Sequence, residues 1–133
     1  VNDDPATWTV ASSAQPTPEQ LQQAGFAWKV CAAVSSNAIV VTQNNEAVGI
    51  GGGQQNRLDA ARLACERAGT RAIGGVAASD AFFPFRDGLD MLATAGVHVV
   101  VEPGGSVRDE EVIAAANEHG IVLIFTGARH FRH

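Results

Sequence analysis

The chain has 133 residues, of which 46% are apolar and 17% charged, and its formal net charge is −5. This length suits one domain with a hydrophobic core, and no apolar run approaches the ~20 residues that a membrane-spanning helix needs. Proteins that bind nucleic acid in general present a basic field, so the negative charge argues against that function. The composition therefore predicts a globular domain with neither a nucleic-acid nor a membrane partner.

Cysteine usage and the start of the chain favour a cytoplasmic location. Cys31 and Cys65 lie inside helical patterns among apolar residues, which is more typical of buried free thiols than of a disulfide. No charged and then apolar leader stands before a cleavage site, so no signal peptide is predicted. A reducing cytoplasm suits both features.

The first predicted elements are a connecting segment and a helix. Residues 1–16 are polar, contain proline and lack an apolar period, which predicts a connecting segment. Thr17 then suits an N-cap, Pro18 the first helical position and Gln20 the partner of a capping box. Apolar residues at helical spacing extend the predicted helix from this start to about residue 34.

The rest of the chain alternates helical and strand patterns, which predicts an α/β fold with helices on the faces of a sheet. The remaining predicted elements are a β-hairpin (38–42 and 47–50), a helix from Asn56 to Gly69, and two helix-then-strand units (87–95 with 97–101, and 109–119 with 121–125).

Residues 78–88 place three phenylalanines between two aspartates and an arginine, with Pro84 in the middle. Proline excludes the interior of a helix or of a central strand, so the run is predicted to be a loop. Aromatic rings on a loop either cover the core or contact a planar ligand. The composition alone favours a loop that plugs the core.

A glycine-rich run at 49–53 invites a nucleotide-binding interpretation. A dinucleotide fingerprint fails because Gln54 holds the place of its third glycine, and a P-loop fails because no Gly-Lys-Ser/Thr follows. Arg57 nevertheless stands at the head of a predicted helix, where free N–H groups and the helix dipole attract anions. The alternative is an ordinary glycine-rich turn between a strand and a helix.

Three further segments allow both a structural and a functional interpretation. Asn37, at a helix-to-strand junction, is a turn residue or an amide that contacts a ligand. The turn at 103–106 is explained by capping of the acidic helix after it, or leaves room for a flat group. The tail at 129–133 frays, or binds a ligand at the carboxyl end of its strand.

Five segments in one order carry a resemblance to a known family: 36–40, 49–54, 78–88, 103–116 and 129–133. They resemble the carboxyl-terminal part of the AICAR transformylase/IMP cyclohydrolase family of purine biosynthesis. Its transformylase formylates 5-aminoimidazole-4-carboxamide ribonucleotide (AICAR) from 10-formyltetrahydrofolate. The resemblance implies that residues 17–133 form the C-terminal half of the transformylase domain, a cytidine-deaminase-like three-layer subdomain of α/β class.

The resemblance also implies a site. It assigns AICAR contacts to Asn37, Arg57, Phe82 and Arg129, and folate contacts to Leu58, Asp87, Ser106 and Val107. It further implies 10-formyltetrahydrofolate as cosubstrate, no required metal, and a homodimer with its pockets at the subunit interface. Zinc-deaminase chemistry is not expected, since neither His-x-Glu nor Pro-Cys-x-x-Cys occurs in the chain.

The resemblance implies binding residues without a catalytic centre. In the family an adjacent Lys-His pair, in the first half of the transformylase domain, handles proton transfer, whereas this chain has no such pair and Lys29 is its one lysine. The chain by itself is therefore predicted to be inactive, and to expose an apolar patch that includes Phe82, Phe83 and Phe85. The alternative is a noncatalytic module that binds nucleotide or folate or pairs with another subunit.

Overall fold

The computed structural model describes residues 4–127, which form a six-stranded sheet and four α-helices. The helices are α1 (Pro18–Ala32), α2 (Arg57–Ala68), α3 (Asp87–Thr94) and α4 (Asp109–His119). The strands are β1 (Thr9–Val10), β2 (Ile39–Gln43), β3 (Glu46–Gly51), β4 (Val76–Ser79), β5 (Val99–Glu102) and β6 (Val122–Phe125). Two short 3-10 helices cover Pro5–Thr7 and Gly69–Ala72.

The sheet is mixed, with the strand order β1-β6-β5-β4-β2-β3. Strands β4, β5 and β6 run parallel to one another. Strand β2 is antiparallel to both β3 and β4, and β1 is antiparallel to β6. The carboxyl ends of the three parallel strands therefore meet at one edge of the sheet, together with the start of β2.

Helices cover both faces of the sheet. Because successive side chains of a strand point to opposite faces, Ile39 and Val41 belong to the core beneath α2, α3 and α4, whereas Val40 belongs to the core beneath α1. Trp28, the largest fully buried side chain, fills the α1 side. The predicted three-layer α/β class is confirmed.

Local sequence signals account for several element boundaries. Thr17 and Gln20 form the predicted capping box, and the Asn56 side chain accepts a hydrogen bond from the Asp59 N–H at the start of α2. The predicted hairpin forms with a two-residue turn at Asn44 and Asn45, whose φ angles are 52° and 61°. Asparagine tolerates this left-handed conformation, which suits a tight hairpin turn.

Strand β4 was not predicted, and it corrects the loop expected over 78–88. Ala78 and Ser79 lie inside β4, between β2 and β5, so the irregular segment is 80–86. This strand is short and contains one β-branched residue, Val76, so its sequence carries little strand signal. Strand β4 is buried because it pairs with β2 and β5, which are distant in sequence.

The described part of the predicted connecting segment contributes to the sheet. Strand β1 pairs with the edge strand β6, and Trp8 makes an edge-on contact with Trp28, with ring centroids 6.1 Å apart. The Ser12 hydroxyl accepts a hydrogen bond of 2.8 Å from the Leu123 N–H. A domain boundary at residue 16 stays a prediction, and residues 9–12 pack with the domain that follows.

Both cysteines are free, as predicted. Burial raises the pKa of the Cys31 thiol far above its ordinary value, and it raises the pKa of Cys65 to about 11. Both thiols are therefore protonated, poor nucleophiles at neutral pH. None of the helices within residues 4–127 has the length and apolar character to cross a bilayer.

Candidate functional site

Polar side chains from three segments gather at the edge where the parallel strands end. Asp80 follows β4, and Glu102 is the last residue of β5. The start of β2 lies at the same edge, because Ile39 pairs with Ser79, and this brings Asn37 close. Open α/β sheets bind ligands at this edge.

A buried ion pair forms the centre of the site. Arg57, the first residue of α2, directs Nη1 toward Oδ1 of Asp80, and the two side chains are 6% and 1% exposed. Nη1 also donates to the Ala38 carbonyl oxygen at 3.1 Å, and Oδ2 of Asp80 accepts a 2.6 Å hydrogen bond from the Ser36 hydroxyl. Each buried charge therefore has an opposite charge and additional hydrogen-bond partners, as a stable buried pair requires.

Asn37 is tied to the same pair through its side-chain amide. Oδ1 accepts a 2.9 Å hydrogen bond from Nη2 of Arg57, and Nδ2 donates to the Gln55 carbonyl oxygen at 2.9 Å. An amide offers two N–H donors and two acceptor lone pairs, and a guanidinium offers five N–H donors. The bonds described so far use one of the two N–H donors and one of the two lone pairs of Asn37. They use three of the five N–H donors of Arg57.

The first cavity opens beside this network and has a volume of about 280 Å³. It contains three of the four predicted AICAR contacts, Asn37, Arg57 and Phe82. The full lining consists of Asn37, Gln55, Asn56, Arg57, Ala81, Phe82 and Pro84.

The second cavity adjoins the first and has a similar volume, about 280 Å³. It contains two of the four predicted folate contacts, Leu58 and Asp87, together with Phe85. Asn56, Arg57 and Pro84 line both cavities and separate them.

The aromatic loop, residues 80–86, divides its three rings between core and surface. Phe83 is fully buried against Leu89 and Leu92, whereas Phe82 is half-buried and Phe85 is 51% exposed. The expectation that Phe83 belongs to an exposed patch is therefore wrong, because its ring fills the core beneath α3. Phe82 and Phe85 instead line the first and the second cavity, respectively.

Arg86 anchors the end of the aromatic loop to α3 and α4. Its guanidinium hydrogen-bonds Asp90 on α3 (Nε to Oδ2, 3.0 Å) and Glu118 on α4, and its backbone N–H donates to Oε2 of Glu111 at 3.2 Å. Arg86 is the main cause of the lowered pKa of Asp90, and a further bond from Asp90 to His119 measures 2.8 Å. The loop is thus held at both ends, by Asp80 and by Arg86.

The glycine turn, residues 103–108, lies beside the second cavity without lining it. Asp109 accepts hydrogen bonds from the Gly105 N–H at 2.7 Å and from the Ser106 N–H at 3.1 Å. The Arg108 guanidinium lies 5.0 Å from the centroid of the Phe85 ring, which connects the turn to the cavity wall. Val107 is fully exposed, so the structure places the predicted folate contacts Ser106 and Val107 near the cavity, but outside its lining.

Glu102 is a polar residue of this edge for which no function was predicted. Its side chain is fully buried, and its carboxyl group accepts hydrogen bonds from the N–H groups of Gly104 (3.1 Å) and Phe83 (3.4 Å). Burial is the main cause that raises the pKa of Glu102 to about 8, and the charge of Asp109 contributes to the same shift. An acidic residue at the end of a Val-Val-Val run is the sequence signal that could have identified it.

Two of the glycines at 49–53 serve helix packing. A Cβ atom at Gly49 would lie 2.0 Å from the Ala64 carbonyl oxygen, and one at Gly51 would lie 2.2 Å from that of Ala60. Because these two glycines have no side chains, α2 can lie directly on β3. Helix packing therefore explains two of the four glycines in this run, and no bound phosphate is needed to explain them.

Two further predictions concern the carboxyl-terminal tail and metal binding. Arg129, the fourth predicted AICAR contact, and the rest of 129–133 lie outside the described residues. Between residues 4 and 127, no group of three or more His, Cys, Asp or Glu side chains is arranged to hold a metal ion.

Comparisons with known proteins agree in family and fold. A family model described as AICARFT/IMPCHase bienzyme matches residues 1–67. Proteins called bifunctional purine biosynthesis protein PurH are 57% identical in Myxococcus xanthus, over 97% of this chain and 25% of that protein, and 58% identical in Mycobacterium marinum, over 98% and 25%. The chain thus spans about a quarter of the length of these relatives.

The fold resembles that of Acinetobacter baumannii RibD. Form 2 of that structure aligns with a TM-score of 0.56 at 18% identity, over 79% of this chain and 33% of the other. Form 1 aligns with a TM-score of 0.52 at 18% identity, over 77% and 32%. At this identity the likeness concerns the fold alone, and it agrees with the predicted deaminase-like architecture.

Proposed function

Because the chain belongs to the AICARFT/IMPCHase bienzyme family, we propose that it supplies part of the nucleotide and folate pocket of AICAR transformylase. The reaction moves the formyl group of 10-formyltetrahydrofolate to the amine of AICAR, giving formyl-AICAR, in purine biosynthesis. The observation that supports the proposal is the pair of adjoining cavities: Asn37 and Phe82 line the first, Leu58 and Asp87 line the second, and Arg57 lines both.

The first cavity is proposed to hold the aminoimidazole of AICAR. Asn37 and Arg57 offer an amide and a guanidinium, which suit the carboxamide and the phosphate or hydroxyl oxygens of a nucleotide. The half-buried ring of Phe82 offers a flat apolar surface to the heterocycle. Arg129 is proposed as a further phosphate contact on the ground of the family resemblance.

The second cavity is proposed to hold the folate. Asp87 is exposed at the start of α3, where its carboxylate can accept hydrogen bonds from the N–H groups of a pteridine ring. Leu58 and Phe85 add apolar surface to the lining of the same cavity. Ser106 and Val107 are proposed to border the folate from the adjacent glycine turn.

The chemistry of formyl transfer determines which functions these residues would perform. The amine nitrogen of AICAR attacks the formyl carbon and loses a proton, and the formyl oxygen is negative in the tetrahedral intermediate. The bond from the formyl carbon to the folate nitrogen then breaks, and this nitrogen takes up a proton as tetrahydrofolate leaves. A general base and a partner for that oxygen are required. The proposed contribution of this chain is to bind and orient both substrates, with the proton transfer supplied by the Lys-His pair of the family's other segment.

The partners and location follow from the same proposal. AICAR and 10-formyltetrahydrofolate are the proposed ligands, the remainder of the transformylase and a second subunit of a homodimer are the proposed protein partners, and the cytoplasm is the proposed location. No metal is proposed for catalysis.

A chimeric enzyme tests the proposal. The 133 residues replace the matching quarter of the Myxococcus xanthus relative, and formyl-AICAR formation is measured with the unaltered relative as positive control. We expect formyl transfer by the chimera. A chimera that melts cooperatively at the temperature of the relative but forms no formyl-AICAR would contradict the proposal.

The same experiment addresses the noncatalytic alternative. If the chain by itself binds AICAR or folate while the folded chimera stays inactive, the chain is a binding module. If neither ligand binds to the chain or to the chimera, a subunit-interaction module is the remaining interpretation.

A further inference from the structure

Glu102 is an acidic residue in an unusual position, at the carboxyl end of the central strand β5. Its side chain is fully buried, and within residues 4–127 no Lys, Arg or His forms an ion pair with it. Burial of an uncompensated carboxyl group is unfavourable unless its oxygens are hydrogen-bonded. The partners of these oxygens therefore indicate why the residue is there.

The two oxygens of Glu102 bind backbone groups of two different loops. Oε2 accepts from the N–H of Phe83, in the aromatic loop, and Oε1 accepts from the N–H of Gly104, in the glycine turn. These loops follow different strands, β4 and β5, and one carboxyl group spans them. Any shift of one loop relative to the other changes at least one of the two bonds.

The aromatic loop lines the second cavity, and the glycine turn contacts this loop. Pro84 and Phe85, next to Phe83 in sequence, line this cavity. The glycine turn reaches the same wall through Arg108, whose guanidinium lies over the Phe85 ring. Glu102 itself lines neither cavity, so its two backbone hydrogen bonds can affect a ligand there through the loops.

We propose that Glu102 is a positioning residue, whose carboxyl group fixes the aromatic loop and the glycine turn relative to each other and thereby shapes the second cavity. The inference rests on the proposed function only in identifying the ligand of that cavity as folate. The positioning itself is tested without any ligand.

The first test follows the backbone amides of Phe83 and Gly104 by NMR in the 133-residue chain, as the pH is raised through the Glu102 pKa of about 8. Charged groups that act on Glu102 from other elements are Asp109 on α4 and Arg57 on α2, and the substitution alters neither. We expect both amide resonances to move with one shared midpoint, and the Glu102→Gln variant to lose this transition.

The matched control is Glu66→Gln, the same change at an exposed position of α2, which should keep the shared midpoint. Amides that do not respond, or that respond with different midpoints, would overturn the proposal. If Glu102→Gln does not fold, Glu102→Asp replaces it, because the shorter carboxyl group cannot span both loops. Only one amide should then titrate, and a shared transition would overturn the proposal.

The second test measures the kinetics of the chimeric enzyme. We expect Glu102→Gln to raise the KM for 10-formyltetrahydrofolate about tenfold, because the variant loses one of the two hydrogen bonds that hold the loops. The KM for AICAR should rise less, because the aromatic loop lines the first cavity and the glycine turn does not. An unchanged folate KM, or an equal rise for both substrates, would contradict a specific effect on the second cavity. If the unaltered chimera transfers no formyl group, the proposed function fails, and the amide titration alone decides whether Glu102 positions the loops.

Discussion

Arg57 shows how one side chain can hold a buried network and line two cavities at once. Three of its five donors bind Asp80, Ala38 and Asn37 within the protein, and the same residue lines both cavities. A guanidinium fixed in this way presents its remaining donors in a defined direction, which reduces the entropy lost when a ligand binds.

The buried pair should be essential for stability. We expect Asp80→Asn to lower the free energy of unfolding by about 3 to 5 kcal/mol, because it leaves the Arg57 charge buried without its counter-ion. Chemical denaturation measures this change. The control is Arg62→Gln, which removes the exposed pair with Asp59 and should cost less than about 1 kcal/mol. Equal losses in the two variants would show that the buried pair contributes no more than a surface pair.

Glu102 should make stability depend on pH. Its pKa in the folded chain is raised from the ordinary 4.5 to about 8, so the folded state keeps its proton at pH values where the unfolded state has lost it. The stability of the unaltered chain, relative to Glu102→Gln, should therefore fall as the pH rises from about 4.5 to about 8 and stay constant above. We expect a change of a few kcal/mol, measured by denaturation at a series of pH values. A difference that does not vary with pH would contradict this assignment.

The sequence predicts individual site residues better than the network that holds them. Asn37, Arg57 and Phe82 were predicted from a family resemblance, and they line one cavity; their contact with AICAR stays a prediction. Asp80 and Glu102 received no function, because their partners Arg57 and Phe83 are distant in sequence. Arg57 lies 23 residues before Asp80, and Phe83 lies 19 residues before Glu102, and no local pattern encodes such a pairing.

Helices and strands, like site residues, can be predicted from the sequence only where their signals are local. Helices α1 and α2 were predictable because their caps are local signals, and the hairpin because its turn residues are adjacent. Strand β4 depends on β2 and β5 at its two sides, and β1 depends on β6. A short strand of small residues has little intrinsic preference, so its identity comes from the neighbours that pair with it.

The close approach of α2 to β3 can be tested at one glycine. We expect Gly49→Ala to destabilise the fold by about 3 kcal/mol or more, because the added Cβ would overlap the backbone of α2. The matched control is Gly53→Ala, where no atom lies within 4 Å and the strain comes only from a φ of +65°, at about 1 kcal/mol. Thermal and chemical denaturation of both variants measure the difference. Similar losses would mean that α2 can move away from β3 with little loss of stability.

At the scale of the whole molecule, two of the three exposed large apolar residues of the described chain lie at or beside the second cavity. Within the part of the chain that the structure describes, the exposed large apolar residues are Ile73, Phe85 and Val107. Phe85 lines the second cavity, and Val107 belongs to the adjoining glycine turn. This surface is where the proposed folate, or the remainder of the proposed enzyme, would bury apolar area.

The chain by itself should not catalyse formyl transfer. It lacks the Lys-His pair that the family resemblance assigns to proton transfer, and loss of a general base typically reduces the rate by ~10² to 10⁴. We expect no formyl transfer by the purified 133-residue chain under conditions in which the chimeric enzyme is active. Turnover by the chain, free of any longer contaminant, would show that it contains a catalytic centre of its own.

The most direct measurement is the dissociation constant of each ligand for two variants of the chimeric enzyme. Asp87→Asn should weaken folate binding about ten- to a hundredfold and change AICAR binding little, because a bond to a charged acceptor contributes about 1.5 to 3 kcal/mol. Phe82→Ala should weaken AICAR more than folate, while Glu66→Gln should change neither.

Melting temperatures of the same variants separate binding from folding. If the two cavities hold different ligands, the two variants should show opposite ligand preferences at nearly unchanged melting temperatures. Equal losses of both ligands in Phe82→Ala and in Asp87→Asn, together with a large fall in melting temperature, would contradict it and make the aromatic loop purely structural.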